Sequence, residues 1–289
     1  MRRLFIFAGF DPRNLAQKTH DNPVITDALI LYVRTLSQMG DVVFYMDNNT
    51  DTKELAQLAP YTLYAGATAH GEYDFGSYKR GYIWARDNLN LGKYDWVYLV
   101  NDSMYAPLYP IRPVMEKLEA KKTDAVGMVC NPHRDHPHIQ SWFIGMSGTV
   151  FLSDWFDSFI TSIQRLPGKG DITRQYEHGF TRLLIENNLT WDCAYTMRKH
   201  AVYNDIRHLF LLGFPFMKKV TFSRKHGALA RQALYVLDHT SPELRWTILK
   251  DAIHVYGKDF VKKFLTKNPV KIMYRGFKHF LNKLFIGGL

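Results

Sequence analysis

The triplet Asn101-Asp102-Ser103 closes the apolar run Trp96–Val100. A lone carboxylate at the head of a buried strand can hold a hydrated cation or accept from a sugar hydroxyl; equally, it can close an Asx turn. A second apolar run, Asp41–Met46, also ends in an acid, Asp47. Between the two lies Ala69–Gly81, which carries Gly71, Asp74, Gly76, Lys79 and Arg80. Glycine lets a backbone approach a ligand closely, and a helix start offers N–H groups to phosphate. The spacing matches neither a P-loop nor the dinucleotide fingerprint. His133, His136 and His138 have metal-ligating chemistry, but Pro132 and Pro137 break up their segment and no second ligand cluster follows. A polar, sometimes protonated loop beside a substrate fits them better than structural zinc. Glu177-His178 offers a further acid–base pair, with a solvated salt bridge as the alternative for Glu177.

These residues need elements to position them. Leu4–Gly9, Asp41–Met46, Trp96–Val100 and Asp124–Val129 read as strands buried on both faces. Tyr61–Tyr64 and Trp191–Met197 read as shorter ones, and Ile139–Ile144 continues the histidine loop. Helices are predicted over Val24–Met39 (opened by Pro23), Thr52–Leu58, from the glycine loop to about Asn90, and over Ile111–Ala120, Phe151–Ile163 and Asp171–Asn187. Strands alternating with helices predict an α/β layered domain. In such sheets ligands lie at the carboxyl ends of central strands, where Asp47 and Asp102 fall.

The chain has 289 residues, 46% hydrophobic and 15% aromatic, enough for one large core with an appendage. Met1–Phe7 reads as a first buried strand, because its apolar run is short for a signal peptide and soon meets Asp11-Pro12. No run approaches the ~18 apolar residues of a membrane span. Cys130 and Cys193 lack metal-ligand spacing and are expected as unpaired core residues in a reducing compartment. A net charge of +10 implies an anionic partner. Nucleic acid is not expected: no recognisable module for it appears, and the charge gathers on the C-terminal helices.

From residue 218 the pattern becomes helical, with Gly227–Asp238 and Ser241–Tyr256 as helices. This predicts a domain over 1–217 and a helical region over 218–289. Between Lys258 and Lys283 stand eight basic residues and one acid, Asp259. Val270–Ile286 reads as a basic amphipathic helix suited to an anionic membrane interface. At ~1 kcal/mol per basic residue near the surface, such attachment would be salt-sensitive. The alternative is packing on the protein itself.

Five segments together carry a family resemblance: Tyr73–Tyr78, Leu99–Pro107, His138–Phe143, Tyr176–Gly179 and Gly213–Lys218. The chain resembles the rhamnan synthesis F family of bacterial polysaccharide glycosyltransferases over roughly residues 4–220. The likeness implies a GT-A-like, Rossmann-like fold, a mixed and mostly parallel sheet flanked by helices. It also implies glycosyl transfer from a nucleotide sugar, plausibly dTDP-rhamnose, to a lipid-linked cell-surface polysaccharide such as O-antigen. On that pattern Asp47, Gly71, Asp74, Gly76, Lys79, Asn101 and Ser103 contact the donor. Asp102 holds Mg²⁺ or Mn²⁺, although the usual motif has two carboxylates and this one has one. Diphosphate oxygens and waters can complete such a shell. His138, Gln140, Ser141 and Trp142 would wall the acceptor site, Trp142 stacking on a pyranose, and Glu177 would be the general base of an inverting displacement, with His178 as the alternative. The protein would work in the cytoplasm on the inner face of the membrane. The competing reading is a non-catalytic glycan- or nucleotide-binding scaffold.

Overall fold

The structure, a computed structural model, describes residues 1–12, 24–197, 201–223 and 227–266, together with 268, 270 and 274. The predicted tail helix Val270–Ile286, apart from residues 270 and 274, lies outside them, as does Pro23. Ten strands are found among the described residues: β1 (Arg3–Gly9), β2 (Asp41–Met46), β3 (Tyr64–Ala67), β4 (Trp96–Asn101), β5 (Met104–Tyr105), β6 (Ala125–Asn131), β7 (His138–Ile139), β8 (Phe143–Ser147), β9 (Trp191–Thr196) and β10 (Met217–Lys218). The chain divides into two compact units. The first comprises Met1–Asp102 with Pro110–Lys199, the second Ser103–Tyr109 with His200–Leu289.

The first unit is built on a sheet in which β3, β2, β1 and β4 are consecutive and parallel. β8 then runs antiparallel between β4 and β6. The far end of β6 pairs with β7, and β9 lies parallel along its other edge. This is the mixed, mostly parallel sheet flanked by helices that the family resemblance implies. All residues of β1 and β4 are buried, as runs without polar alternation require. Helix Asp27–Ser37 buries Ala28, Leu29, Tyr32, Val33 and Leu36 and begins where the Thr26 side chain accepts from the Leu29 N–H. Helix Tyr73–Asn88 buries Phe75, Tyr78, Tyr82 and Ala85. It approaches β1 so closely that a Cβ at Gly81 would meet Ile6 Cγ2 at 2.6 Å.

Behind β1 and β4 lies a buried polar knot. Arg3 donates from Nε and Nη2 to the two oxygens of Glu119, at 2.6 and 2.7 Å, and the Tyr98 hydroxyl donates to Oε1 at 2.7 Å. The carboxylate holds the Arg3 guanidinium above its ordinary range, and burial followed by the same carboxylate pushes the Tyr98 phenol well up.

Three sequence expectations are corrected. β3 begins at Tyr64, because a 3₁₀ turn occupies Ala56–Tyr61. The segment read as one stretch, Ile139–Ile144, is two strands, β7 and the reversed β8. Cys130 and Cys193 are joined in a disulfide, so cysteine usage gives no support to a reducing compartment. They stand 63 positions apart, and only the pairing of β6 with β9 brings their strands together.

In the second unit β5 and β10 form a two-stranded antiparallel ribbon. Helices Ala201–Asn204, Ile206–Leu211, Gly227–Asp238, Pro242–Tyr256 and Lys258–Phe264 also belong to it. In the last of these Val261 and Phe264 are buried while Lys258, Lys262 and Lys263 are exposed. This start of the basic region therefore packs on its own unit. No described helix is long and apolar enough to cross a membrane.

Candidate functional site

β1, β2 and β4 run in one direction, so their carboxyl ends share one edge of the sheet. After β1, the Asp11 N–H donates to Asn48 Oδ1 at 2.8 Å, and Asn48 Nδ2 donates back to the Asp11 carbonyl at 3.1 Å. After β4, Asp102 Oδ2 accepts from the Phe10 N–H at 3.3 Å, and the Asp102 N–H donates to the Ala8 carbonyl. Asp47, Asn101 and Asp102 are all buried.

Asp47 organises the glycine loop. Its Oδ1 accepts from the N–H groups of His70 and Gly71, at 2.8 and 2.9 Å. Gly71 has φ +68°, a left-handed conformation that favours glycine. The loop amides expected to face phosphate thus point at a protein carboxylate. At Gly76 a Cβ would meet Glu72 Oε2 and His70 Cε1, each at 2.6 Å, so glycine is needed there for packing. The His70 ring accepts at Nδ1 from the Glu72 N–H, at 3.0 Å. The proton therefore sits on Nε2, which donates to Ser77 Oγ at 3.0 Å. Burial lowers the His70 pKa to about 4, outweighing Asp47, whose Oδ2 stands 3.6 Å from Nδ1. The imidazole is neutral at pH 7.

From Asp102 the network crosses the sheet. Asn101 Nδ2 donates to Asp74 Oδ2 at 2.7 Å, and the Asn101 N–H donates to the Trp142 carbonyl at 3.2 Å. Tyr78, one helical turn beyond Asp74, donates its hydroxyl to the Ser141 carbonyl at 2.9 Å. Burial, then Asp74, raises the Tyr78 pKa well above its ordinary value, which keeps the hydroxyl a donor. Ser141 in turn donates to Glu177 Oε2, from its N–H at 2.8 Å and from its hydroxyl. Asn101 thus bonds Asp74, Ser141 bonds Glu177, and the Asn101 N–H on the Trp142 carbonyl ties the two pairs through the backbone of residues 141 and 142.

Glu177 ends a π-helical turn, Thr173–Glu177, that precedes helix His178–Glu186. Its Oε1 lies 3.7 Å from His138 Nε2. His138, Glu177 and His178 are the described residues that group as possible metal ligands, one ligand atom from each lying within 4.8 Å of the others. His136 stacks on His178, with centroids 4.7 Å apart, and His133 stacks on His136 at 3.7 Å. The second ligand cluster missing from the sequence around the histidine loop is supplied by His178. Burial and then the neighbouring His138 lower the His178 pKa.

Other expected contacts are redirected. Trp142 is only 3% exposed; its indole N–H donates to Gln140 Oε1 at 2.8 Å and its ring packs edge-on against Phe143. As placed, it is a core residue and cannot stack on a sugar, and Gln140 serves to satisfy it. Lys79 donates to the Ile163 carbonyl and stands 3.9 Å from Glu72, while Arg80 donates to Glu72 Oε2 at 2.6 Å. Both cations are committed to protein acceptors. Ser103 belongs to the second unit, where its Oγ accepts from Lys218 Nζ at 3.0 Å. His70 and Tyr78 were given no role from sequence. For Tyr78 the available signal is spacing, since it follows Asp74 at an interval that shares a helix face; His70 precedes the helix and carries no such signal.

A family model described as rhamnan synthesis protein F matches residues 48–278. No curated protein matches the chain. Among solved structures, the chain is similar to one from Desulfovibrio desulfuricans G20 provisionally described as a nucleotide-diphospho-sugar transferase. That likeness has 15% identity and TM-score 0.44 and covers 91% of this chain and 99% of the other. It is also similar to the mannosyltransferase Ktr4p of S. cerevisiae, at 8% identity and TM-score 0.34, over 55% and 59% of the two chains. A cytidylyltransferase from Leptospira borgpetersenii serovar Hardjo-bovis (strain JB197) matches at 12% identity and TM-score 0.35, over 69% and 76%.

Proposed function

The chain belongs to the rhamnan synthesis protein F family, and from that premise we propose that it is a glycosyltransferase using a nucleotide-sugar donor. Rhamnose carried on dTDP is the donor we favour, and a lipid-linked polysaccharide the acceptor. The observation that carries the reading is the tie between two bonded pairs, Asn101 with Asp74 beside Asp102 and Ser141 with Glu177, made by the Asn101 N–H on the carbonyl of Trp142, the residue after Ser141. Glycosyl transfer needs a group that steadies the departing diphosphate and a base for the acceptor hydroxyl, held in register with each other.

The donor set at the head of β4 is oxygen-rich: the carboxylates of Asp102 and Asp74 with the amide of Asn101. Such a set fits a hard divalent ion, and Asp102 would hold Mg²⁺ or Mn²⁺, whose charge supplies neutralisation of the leaving diphosphate. The chain's own residues do the rest. Asn101 fixes the Asp74 carboxylate, and Asp47 fixes the glycine loop beside it. Ser141 occupies Oε2 of Glu177 and leaves Oε1 as the atom that takes the acceptor proton. The basic region beyond Lys258 is proposed to hold the enzyme on an anionic membrane where a lipid-linked acceptor would lie.

The test is turnover with donor and a lipid-linked acceptor, alongside donor binding followed by thermal shift. Glu177→Gln should lower turnover about 10²–10⁴-fold and leave donor-induced stabilisation unchanged, while Asp102→Asn should impair both. Near-full activity in Glu177→Gln removes the base assignment. Donor binding with no release of nucleoside diphosphate favours the scaffold reading instead.

A further inference from the structure

Outside the residues assigned to the donor, the histidines around Glu177 form a group that base catalysis alone does not explain. His138 Nδ1 lies 2.9 Å from the His136 carbonyl. A carbonyl only accepts, so Nδ1 carries the proton, and in the neutral ring the Nε2 lone pair is left toward Glu177 Oε1. Two acceptor atoms then face each other at 3.7 Å. Two ligands each ~2.0–2.1 Å from a tetrahedral ion stand about 3.3–3.4 Å apart. The observed separation is therefore close to that of a ligand pair, and His178 brings a third donor within 4.8 Å of both.

The supporting contacts are of the kind metal sites use. A ligating histidine commonly donates its other N–H to a backbone carbonyl, as His138 does to His136, and a ligating carboxylate is itself hydrogen-bonded, as Glu177 Oε2 is by Ser141. We propose that His138, Glu177 and His178 bind a borderline transition cation of the Zn²⁺ class, at a site separate from the oxygen-rich position at Asp102. Two imidazoles and one carboxylate suit Zn²⁺ or Co²⁺ and suit Mg²⁺ poorly. On the proposed function, the ion and the acceptor proton compete for the same oxygen, Oε1. Occupancy and turnover then exclude each other, and added Zn²⁺ slows transfer without displacing donor.

The experiment is a titration of the untagged, chelator-stripped full chain with ZnCl₂ by calorimetry, and with CoCl₂ by visible absorption. One ion per chain is expected, with the intense d–d bands of a tetrahedral Co²⁺ site. His138→Ala and His178→Ala should each weaken binding at least about tenfold, while exposed His208→Ala and the Asp102→Asn variant keep it. Ser141→Ala, which leaves all three ligands in place, should weaken it by a smaller factor and guards against misfolding of the histidine variants. Absence of binding to the wild-type chain overturns the proposal. So does binding that survives both histidine substitutions or is lost in Asp102→Asn. Because these readouts need no turnover, a failed glycosyltransferase assay leaves this result standing, and the reverse also holds.

Discussion

At the scale of single residues, His70 shows how burial and geometry fix a protonation state. Its Nδ1 is held as an acceptor by the Glu72 N–H, and its Nε2–H is used by Ser77. Adding a proton to Nδ1 would break the first of these bonds inside a site where the side chain is 1% exposed. Burial is the largest cause of a pKa of about 4, with Arg80 and Lys79 also lowering it against the carboxylates of Asp47 and Glu72. In the unfolded chain the ring titrates near 6.5. Between pH 6.5 and 4 the unfolded state therefore binds the extra proton, and stability falls as pH falls through that window. Above pH 6.5 the contribution is flat. Urea midpoints measured across pH 4–7 should show this slope, and His70→Gln, which cannot titrate, should flatten it. An unchanged slope in that variant would assign the acid sensitivity to other groups.

At the scale of elements, the loop before helix Tyr73–Asn88 depends on Asp47. Asp47→Ala leaves the N–H groups of half-buried His70 and exposed Gly71 without their acceptor; water can replace part of it, so each lost bond should cost about 0.5–1.5 kcal/mol. Amide exchange at both positions should accelerate. Asp47→Asn keeps an oxygen at Oδ1 and should retain most of the protection, so any loss of donor binding in it reports on the carboxylate charge itself. Protection unchanged in Asp47→Ala would show that the loop is held by other contacts. Elements of this kind were legible in the sequence where a local rule decides them. An apolar run that stops in an acid gives β2 with Asp47 and β4 with Asp102. What stayed hidden was decided by pairing over long separations. The reversed β8 exists because β4 and β6 accept it on their edges. Trp142 reads as a platform among polar neighbours, yet Gln140 satisfies its N–H and permits burial. The meeting of His138 with His178, and of Cys130 with Cys193, has no local signature at all.

At the scale of the molecule, the first unit is fastened by one buried ion pair that no active-site argument requires. Arg3 opens β1, Tyr98 lies in the middle of β4, and Glu119 ends helix Arg112–Glu119; the pair is 5% and 0% exposed at its side chains. Arg3 also lies near the Met39 carbonyl, at 3.4 Å from Nη1, so the turn into β2 shares the cation. Such a pair contributes little net stability relative to an apolar substitute, because desolvation offsets the attraction. Breaking it is another matter. With Glu119 gone, a guanidinium that cannot shed its proton stays buried without a counter-charge, and the Tyr98 hydroxyl loses its acceptor. Glu119→Ala should therefore cost about 3–5 kcal/mol, read as a lower urea midpoint at an unchanged slope. The double variant Arg3→Met with Glu119→Leu removes both charges and should recover a large part of that loss. A cost in Glu119→Ala below about 1 kcal/mol, the range of a solvated surface pair, would mean that water reaches the knot and that the sheet is fastened by apolar packing alone.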